Sequence, residues 1–242
     1  MRLNKFLASS GFSSRRGADE IIKNGKVRVN GKRAVLGVDV DPSKDKVEMF
    51  SDTWRVISVE SERVVYALNK PGGYVSTASD PDGKKTIVSL VPPSPRVFPV
   101  GRLDEDSKGL ILLTNDGDLT QRLTHPSTHV EKEYRVVCEF ARQLPKDEFE
   151  YHLNKVRKGV LLKEGRTMPA KIEVLDFYPG RCVLRITISE GKRRQIRRSM
   201  QKIQMTVVEL ERTRIGGLTL ASLNIPQRKF VTLTDEQIEL LK

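Results

Sequence analysis

The sequence predicts an α+β protein in two parts. A small N-terminal module of helices and a β-hairpin is followed by a larger domain, built on a mixed, mostly antiparallel β-sheet flanked by helices. Two observations support this class. Strand-like and helix-like segments follow one another without the regular β-α-β alternation of a doubly wound sheet. A polar stretch at 51–62 reads as a linker, so we expect one domain at 1–58 and a second at 63–242.

The N-terminal module is predicted to hold two helices and a hairpin. Apolar residues at helical spacing mark 3–7 and 14–24 as helices, the second capped by a serine and ended by Asn24-Gly25. Valines then alternate with polar residues up to Asn30-Gly31, which is a strong signal for a tight hairpin turn. Apolar positions at 47 and 49 predict a further strand of the same small sheet.

The larger domain is rich in predicted strands. These are 64–68, 110–114, 134–140, 172–177, 183–189, 207–208 and 230–233. Predicted helices run from Asp118 to Leu123, from Pro145 onward, from Lys192 to Ile203, and from the capping box at Thr234. On the third of these helices Ile196, Met200 and Ile203 share the inner face, and the arginines are expected outside.

Charge distribution indicates an anionic partner. The 242 residues carry a net charge of +12 with an isoelectric point near 9.8. Residues 1–36 and residues 181–202 each carry +7, so that two short stretches hold more than the whole excess. Clustering of this kind favours nucleic-acid binding over general solubility.

Several classes of protein are disfavoured by composition. No run of about 18 apolar residues and no signal-like stretch is present, so we expect a cytoplasmic protein that does not bind membranes. Two cysteines are too few for a disulfide framework. The three histidines, His125, His129 and His152, are scattered, which argues against a metal site.

The N-terminal module resembles the RNA-binding domain first recognised in ribosomal protein S4. The likeness rests on residues 2–7, Gly11, 14–16, Ala18 and 25–32. Positive side chains at a helix N-terminus and along a hairpin suit RNA phosphates, and would read duplex shape rather than sequence. The residues expected to contact RNA here are Arg2, Lys5, Arg15, Arg16, Lys26, Arg28, Lys32 and Arg33.

The second domain carries the run Gly101-Arg102-Leu103-Asp104, followed by Ser107 through Leu119. Alone, an aspartate before a strand is most often a turn or cap residue. Three further pieces, at 68–73, 131–134 and 190–198, lie in a fixed order around it. Together these motifs resemble the RsuA-type bacterial ribosomal RNA pseudouridine synthases, and with the N-terminal module the resemblance covers nearly the whole chain.

The resemblance implies roles for individual residues. Asp104 matches the essential aspartate that acts at the glycosidic bond of a target uridine. Arg102 matches the arginine that displaces the base from its stack, Tyr134 the aromatic residue that stacks on the flipped uracil, and Arg197 the arginine that pairs with the aspartate. Further RNA contacts are expected from Lys192, Arg193, Arg194 and Arg198.

These residue types fit the chemistry. A base must leave the helix before it can be rotated, and an aromatic face recovers part of the cost. Cleavage of the carbon–nitrogen bond develops positive charge on the sugar, which an ionised carboxylate stabilises. Because the reaction has no redox step and no net hydrolysis, we expect neither cofactor nor metal. Whether the carboxylate attacks the sugar carbon or removes a sugar proton is left open.

Two positions depart from the family pattern. Ser199 stands where a methionine is usual, and Gln204 stands where a glycine usually ends the helix.

Two other classes of function remain as alternatives. A non-catalytic ribosome-assembly factor is the first, although a carboxylate in a positive cleft opposes mere phosphate binding. A DNA-binding protein is the second, but no recognition helix is evident. The residues at 96–99 favour 23S over 16S RNA as the substrate. We expect the protein to be a monomer.

Overall fold

A computed structural model describes residues 1–58, 62–140 and 145–241. The chain divides into two compact units. The first is Met1–Val64 together with 94–96 and 115–117, and the second comprises Val65–Pro93, Val97–Thr114 and Asp118–Lys242.

The first unit packs two helices on one face of a small antiparallel sheet of order β2-β1-β3-β4. The core joins Leu3, Phe6 and Leu7 of the first helix to Ile22 of the second and Val27 of the sheet, which confirms the predicted apolar faces. Its elements are α1 Leu3–Ser9, α2 Arg15–Lys23, β1 Val27–Val29, β2 Lys32–Arg33, β3 Val47–Phe50 and β4 Trp54–Ile57.

The first unit also corrects the predicted linker at 51–62. Residues Trp54–Ile57 form strand β4, which pairs with β3 so that Trp54 lies opposite Phe50 and Ile57 opposite Val47. Ile57 is buried in the core of the unit. The polar residues at 51–53 form the turn between the two strands. The short strand that follows was not predicted, because a single isoleucine is its only residue buried in the core. The part of the predicted linker at 59–61 lies outside the described residues.

The second unit is built on a large mixed sheet. Its helices are α3 Gly117–Thr124, α4 Lys146–Arg157, α5 Gln195–Gln201, α6 Leu220–Leu223 and α7 Asp235–Glu239, with 3-10 turns at Ile87–Leu90 and Pro126–Thr128. Its strands are β5 Val65–Lys70, β6 Phe98–Val100, β7 Lys108–Thr114, β8 Lys132–Glu139, β9 Leu161–Leu162, β10 Gly165–Arg166, β11 Lys171–Tyr178, β12 Arg181–Ile188, β13 Thr206–Ile215, β14 Leu218–Thr219 and β15 Phe230–Thr232.

The sheet confirms the predicted fold class. Its strands follow the order β11-β12-β8-β13-β7-β5-β15, with β14 on β13 and β6 on β7. Among the described residues every pair in it is antiparallel except β7 with β13. Residues Leu110 to Leu113 of β7 are fully buried, as the unbroken apolar run predicted.

A close backbone approach marks the parallel joint between β7 and β13. Gly109 lies opposite Arg212 with a φ of 101°, and a Cβ there would lie 2.3 Å from the carbonyl oxygen of Arg212. Only glycine combines this backbone angle with this spacing. The glycine in the motif is therefore required by the sheet.

The basic helix is shorter than the predicted span of Lys192 to Ile203. It runs only from Gln195 to Gln201, because Arg194 has a φ of 49° and so cannot continue a right-handed helix. Gln204 has a φ of 59°, which explains why glycine is usual at that position. At the C-terminus the predicted capping box at Thr234 is formed in both directions with Gln237.

Candidate active site

Asp104 lies in the loop 101–107 that joins β6 to β7, and this loop is fastened through its backbone. The ammonium of Lys70 donates to the carbonyl oxygens of Asp104 at 3.1 Å, Glu105 at 3.2 Å and Ser107 at 2.6 Å, and also to that of Pro71. Because an ammonium has three protons, at most three of these four acceptors are bonded at one time. The backbone contacts leave the Asp104 carboxylate available at the surface of the loop.

Lys70 is a fully buried lysine at the end of β5. Burial lowers its pKa to about 8, against the opposing charges of Asp106, Asp104 and Glu105. The carboxylates of the loop therefore favour the protonated form that can donate three hydrogen bonds.

Two more contacts hold the loop from the segment that follows β5. The hydroxyl of Ser76 donates to the carbonyl oxygen of Leu103 at 2.7 Å and accepts from its amide at 3.2 Å. The amide of Gly73 donates to the carbonyl oxygen of Glu105 at 2.8 Å. The segment after β5 thus acts as a brace for the aspartate.

A cavity of about 250 Å³ opens beside Asp104. Tyr134, on β8, is buried and lines it, as does the exposed Arg102. Among the described residues Asp104 is the only carboxylate in the lining. The remaining lining side chains are apolar in Leu103, Ile188, Ile196 and Leu210, positive in Lys192, Arg193 and Arg194, and neutral but polar in Ser107 and Gln195. Such a cavity offers an apolar surface for a flat ring next to one carboxylate.

The arginine nearest to Asp104 differs from the one that the resemblance implied. Arg194 reaches Asp104 with a nitrogen–oxygen distance of 3.5 Å, and it also contacts Asp106 at 3.3 Å. Arg197 contacts Asp106 at 3.2 Å and donates to the carbonyl oxygen of Val207. The left-handed backbone at Arg194 turns this residue toward the loop, one turn ahead of Arg197. Arg197 is also largely buried, with 12% of its side chain exposed, so it does not lie on the outer side as predicted.

Asp106 links the two arginines. Partial burial favours its neutral form, but the hydrogen bond from Arg194 and the charges of Arg197 and Arg194 outweigh that effect and lower its pKa. The Asp106 carboxylate, kept ionised in this way, therefore holds both arginines beside Asp104.

A polar network fixes the backbone that carries Arg194. One carboxylate oxygen of Glu190 accepts from the amide of Met168 and from the side chain of Gln195, both at 2.7 Å, and the other pairs with Lys192. Gln195 is buried and in turn accepts from the amide of Lys192. The network ties the end of β12 to the start of α5.

Sequence reasoning missed Lys70, Asp106, Glu190 and Gln195. Lys70, Glu190 and Gln195 lie inside the quoted motifs, and Asp106 lies between Asp104 and Ser107, so their places in the sequence were available. Lys70 and Asp106, however, contact residues more than 30 positions away, and Glu190 and Gln195 contact each other and backbone amides, which residue type alone does not report.

The remaining predicted RNA contacts lie in both units. In the first unit, Arg15 and Arg16 are exposed at the start of α2, and Lys26, Lys32 and Arg33 are exposed along the hairpin. Arg2 is paired with Asp39, and Arg28 lies over the ring of Trp54. In the second unit Arg193 is exposed, whereas Arg198 is bonded to Glu164 and to the carbonyl oxygen of Arg193. Lys5 is partly buried.

Across residues 1–58, 62–140 and 145–241, no group of three or more histidine, cysteine or carboxylate side chains is placed to hold a metal ion. In the same ranges no helix has the length and apolar character needed to cross a bilayer.

Comparison with known proteins places this architecture in a family. The family model described as RNA pseudouridylate synthase matches residues 64–202, and that described as S4 domain matches residues 1–45. The chain therefore belongs to the RNA pseudouridylate synthases, enzymes that isomerise uridine to pseudouridine in RNA, and carries an S4 domain at its N-terminus.

Individual relatives agree with this assignment. The chain is 39% identical to ribosomal large subunit pseudouridine synthase B of Bacillus subtilis, over 96% of this chain and 92% of that protein. It is also 39% identical to the dual-specificity RNA pseudouridine synthase RluF of Escherichia coli, over 98% of this chain and 77% of that protein. A crystal structure described as a pseudouridylate synthase superposes with a TM-score of 0.67 at 31% identity, covering all of both chains.

Proposed function

We propose that this chain converts specific uridines of ribosomal RNA to pseudouridine, with Asp104 as the catalytic carboxylate. The observation that carries the assignment is the cavity, in which a single carboxylate faces a buried tyrosine among positive side chains. Similarity to both relatives supports RNA as the substrate, and the large-subunit enzyme of Bacillus subtilis supports 23S RNA in preference to 16S.

The proposed roles follow from position. Arg102, exposed at the rim, occupies the place vacated by the target base, and Tyr134 stacks on the extruded uracil at a gain of roughly 1–3 kcal/mol. Arg194 pairs with the Asp104 carboxylate, and Arg197 contributes through Asp106. Phosphates are held by the basic residues of the S4 domain and by Lys192, Arg193 and Arg198.

The reaction exchanges one bond for another. The bond between sugar C1′ and uracil N1 breaks, the ring turns, and C1′ bonds to C5, which releases its proton while N1 gains one. An ionised carboxylate beside the sugar serves either route, attack at C1′ or removal of a sugar proton. Because no atom is lost and no electron is transferred, we propose that neither metal nor cofactor takes part, and turnover should persist in the presence of EDTA.

The decisive experiment compares wild type with Asp104→Asn on ribosomal RNA from cells that lack the gene, supplied both as free RNA and as subunits. Pseudouridine is mapped chemically and RNA binding is measured in parallel. Wild type should produce pseudouridine at discrete sites, whereas Asp104→Asn should bind RNA and produce none. Asp82→Asn is the matched control, because Asp82 is an exposed carboxylate outside the cavity lining, and it should retain the turnover of wild type.

The alternative, a ribosome-assembly factor without turnover, predicts a different result. Wild type would then bind ribosomal RNA tightly and form no pseudouridine on either substrate. That outcome would overturn the catalytic role of Asp104. The same preparations, run on a sizing column, test the expectation of a monomer.

A further inference from the structure

The sheet of the first unit has an outer face that its helices do not cover. Side chains alternate along each strand, so Val27, Val47 and Ile57 point into the core. The residues between them in register point the other way. They are Arg28 on β1, Glu48 and Phe50 on β3, and Trp54 and Val56 on β4.

This outer face is unusually apolar for a surface. Phe50 is 39% exposed and Val56 59% exposed, and the half-buried Trp54 lies between them. The rings of Phe50 and Trp54 are 5.4 Å apart and tilted at 52°. Aromatic and aliphatic side chains grouped on the solvent side of a sheet mark a binding surface more often than chance exposure does.

An arginine completes the arrangement. The guanidinium of Arg28 lies 4.0 Å above the ring of Trp54, which places a positive charge and a flat aromatic surface at one spot. The carboxylate of Glu48 is paired with Lys46 at 2.9 Å, so its negative charge is offset. Exposed Lys26, Lys32 and Arg33 surround the strand that carries Arg28.

We propose that this aromatic face, formed by Arg28, Phe50, Trp54 and Val56, stacks an unpaired base of the RNA substrate. The inference rests on the proposed function, since it takes RNA as the substrate. Aromatic rings on an open sheet accept bases without regard to sequence, while arginines beside them hold the neighbouring phosphates. Charge favours RNA over an apolar protein partner as the occupant, because a protein surface complementary to Phe50 and Val56 gains nothing from the cations around them.

The proposed face differs from the phosphate contacts at the start of α2. Those contacts suit double-stranded RNA, whereas stacking requires a base that is free of its partner. The first unit would therefore recognise a junction, with a duplex on one side and a loop or bulge on the other.

The test uses the fact that Trp54 is the only tryptophan of the chain, so tryptophan fluorescence reports this face directly. The whole protein is titrated with a single-stranded RNA of about ten nucleotides, with an abasic strand of equal charge, and with a duplex of the same length. Single-stranded RNA should quench the emission at saturation, whereas the abasic strand should bind with little quenching. Equal quenching by the abasic strand, or none by any RNA, would overturn the proposal.

Variants separate stacking from charge. Trp54→Ala should weaken binding of the single strand roughly 5- to 150-fold, as expected for the loss of one stacked base, and binding of the duplex much less. Arg28→Lys keeps the charge, so it tests the face even if Trp54→Ala fails to fold, and it should selectively weaken the single strand. Lys44→Ala, which removes an exposed charge elsewhere in the unit, is the matched control.

These results are independent of the proposed reaction. A wild type that forms pseudouridine but shows no base-dependent quenching would refute the aromatic face alone. A wild type that shows such quenching but forms no pseudouridine would refute the catalytic proposal alone.

Discussion

Substitution of Gly109 by alanine should disrupt the joint on which the catalytic sheet depends. The new Cβ would lie 2.3 Å from the oxygen and 2.7 Å from the nitrogen of Arg212, about 1 Å inside normal contact. The backbone would also have to keep a φ of 101° with a side chain, at a cost of about 1–3 kcal/mol. Relief of the overlap by moving β7 from β13 adds about 1–3 kcal/mol.

The expected loss of stability is thus about 2–6 kcal/mol, which corresponds to a fall in Tm of roughly 4–24 °C for a unit of this size. Thermal unfolding followed by circular dichroism measures it. Gly117→Ala is the matched control, since a Cβ there meets nothing within 4 Å, and its Tm should change by little. If Gly109→Ala unfolds at the same temperature as Gly117→Ala, the argument that backbone approach requires glycine is wrong.

Three further predictions follow from the site. Because Lys70 has a pKa of about 8 when folded and about 10.4 when unfolded, the unfolded chain keeps a proton between these values that the folded chain releases. The free energy of unfolding of wild type should therefore rise from pH 7 to pH 10 by about 3 kcal/mol relative to Lys70→Met, and parallel urea titrations that show no such rise would contradict the shift. Gln204→Gly should raise Tm by about 2 °C, because Gln204 is exposed and its left-handed backbone is strained for any residue but glycine. An unchanged or lower Tm would show that the backbone at Gln204 is not strained. Arg194→Ala should lower kcat at least tenfold with little change in RNA affinity. The loss should exceed that of Arg197→Ala, since of these two arginines Arg194 is the one paired with Asp104. The reverse ranking in single-turnover assays would show that Arg197 is the more important partner.

Local sequence signals predicted the fold well. The burial of Leu3, Phe6 and Leu7, the turn at Asn30-Gly31 and the capping box at Thr234 all depend on residues close in sequence, and all are confirmed. The unbroken apolar run at 110–113 was enough to predict that β7 is buried on both faces.

The failures share a physical cause. Strand β4 was missed because only Ile57 is buried in the core, while Trp54 and Val56 face outward, so that apolar residues lie on both faces of this short strand. The helix was predicted to begin at Lys192 rather than at Gln195, because no glycine or asparagine marks the left-handed backbone at Arg194. Periodicity reports burial, so it is silent where a surface is apolar or where a turn is held by tertiary contacts.

For the site, the motifs pointed to Asp104 and Tyr134, and the structure places both on one cavity. The pairing of Arg194 with Asp104 could not be predicted, because it depends on a backbone angle rather than on residue type. The support of the aspartate loop by Lys70 was equally hidden, since a lysine in a strand gives no sign that its ammonium meets three carbonyl groups of a loop more than thirty residues away.

The pairing of β15 with β5 has a consequence for the synthesis of the protein. β5 begins at Val65, and the strand that covers its edge ends at Thr232, so the two sides of this pair leave the ribosome about 170 residues apart. Until then β5, and the Lys70 at its end, lie at an open edge. The contacts of Lys70, Gly73 and Ser76 with the loop 101–107 need no residue beyond 107, whereas the outer edge of β5 is covered only after residues 230–232 have been translated. The nascent chain therefore carries an exposed sheet edge through most of its synthesis.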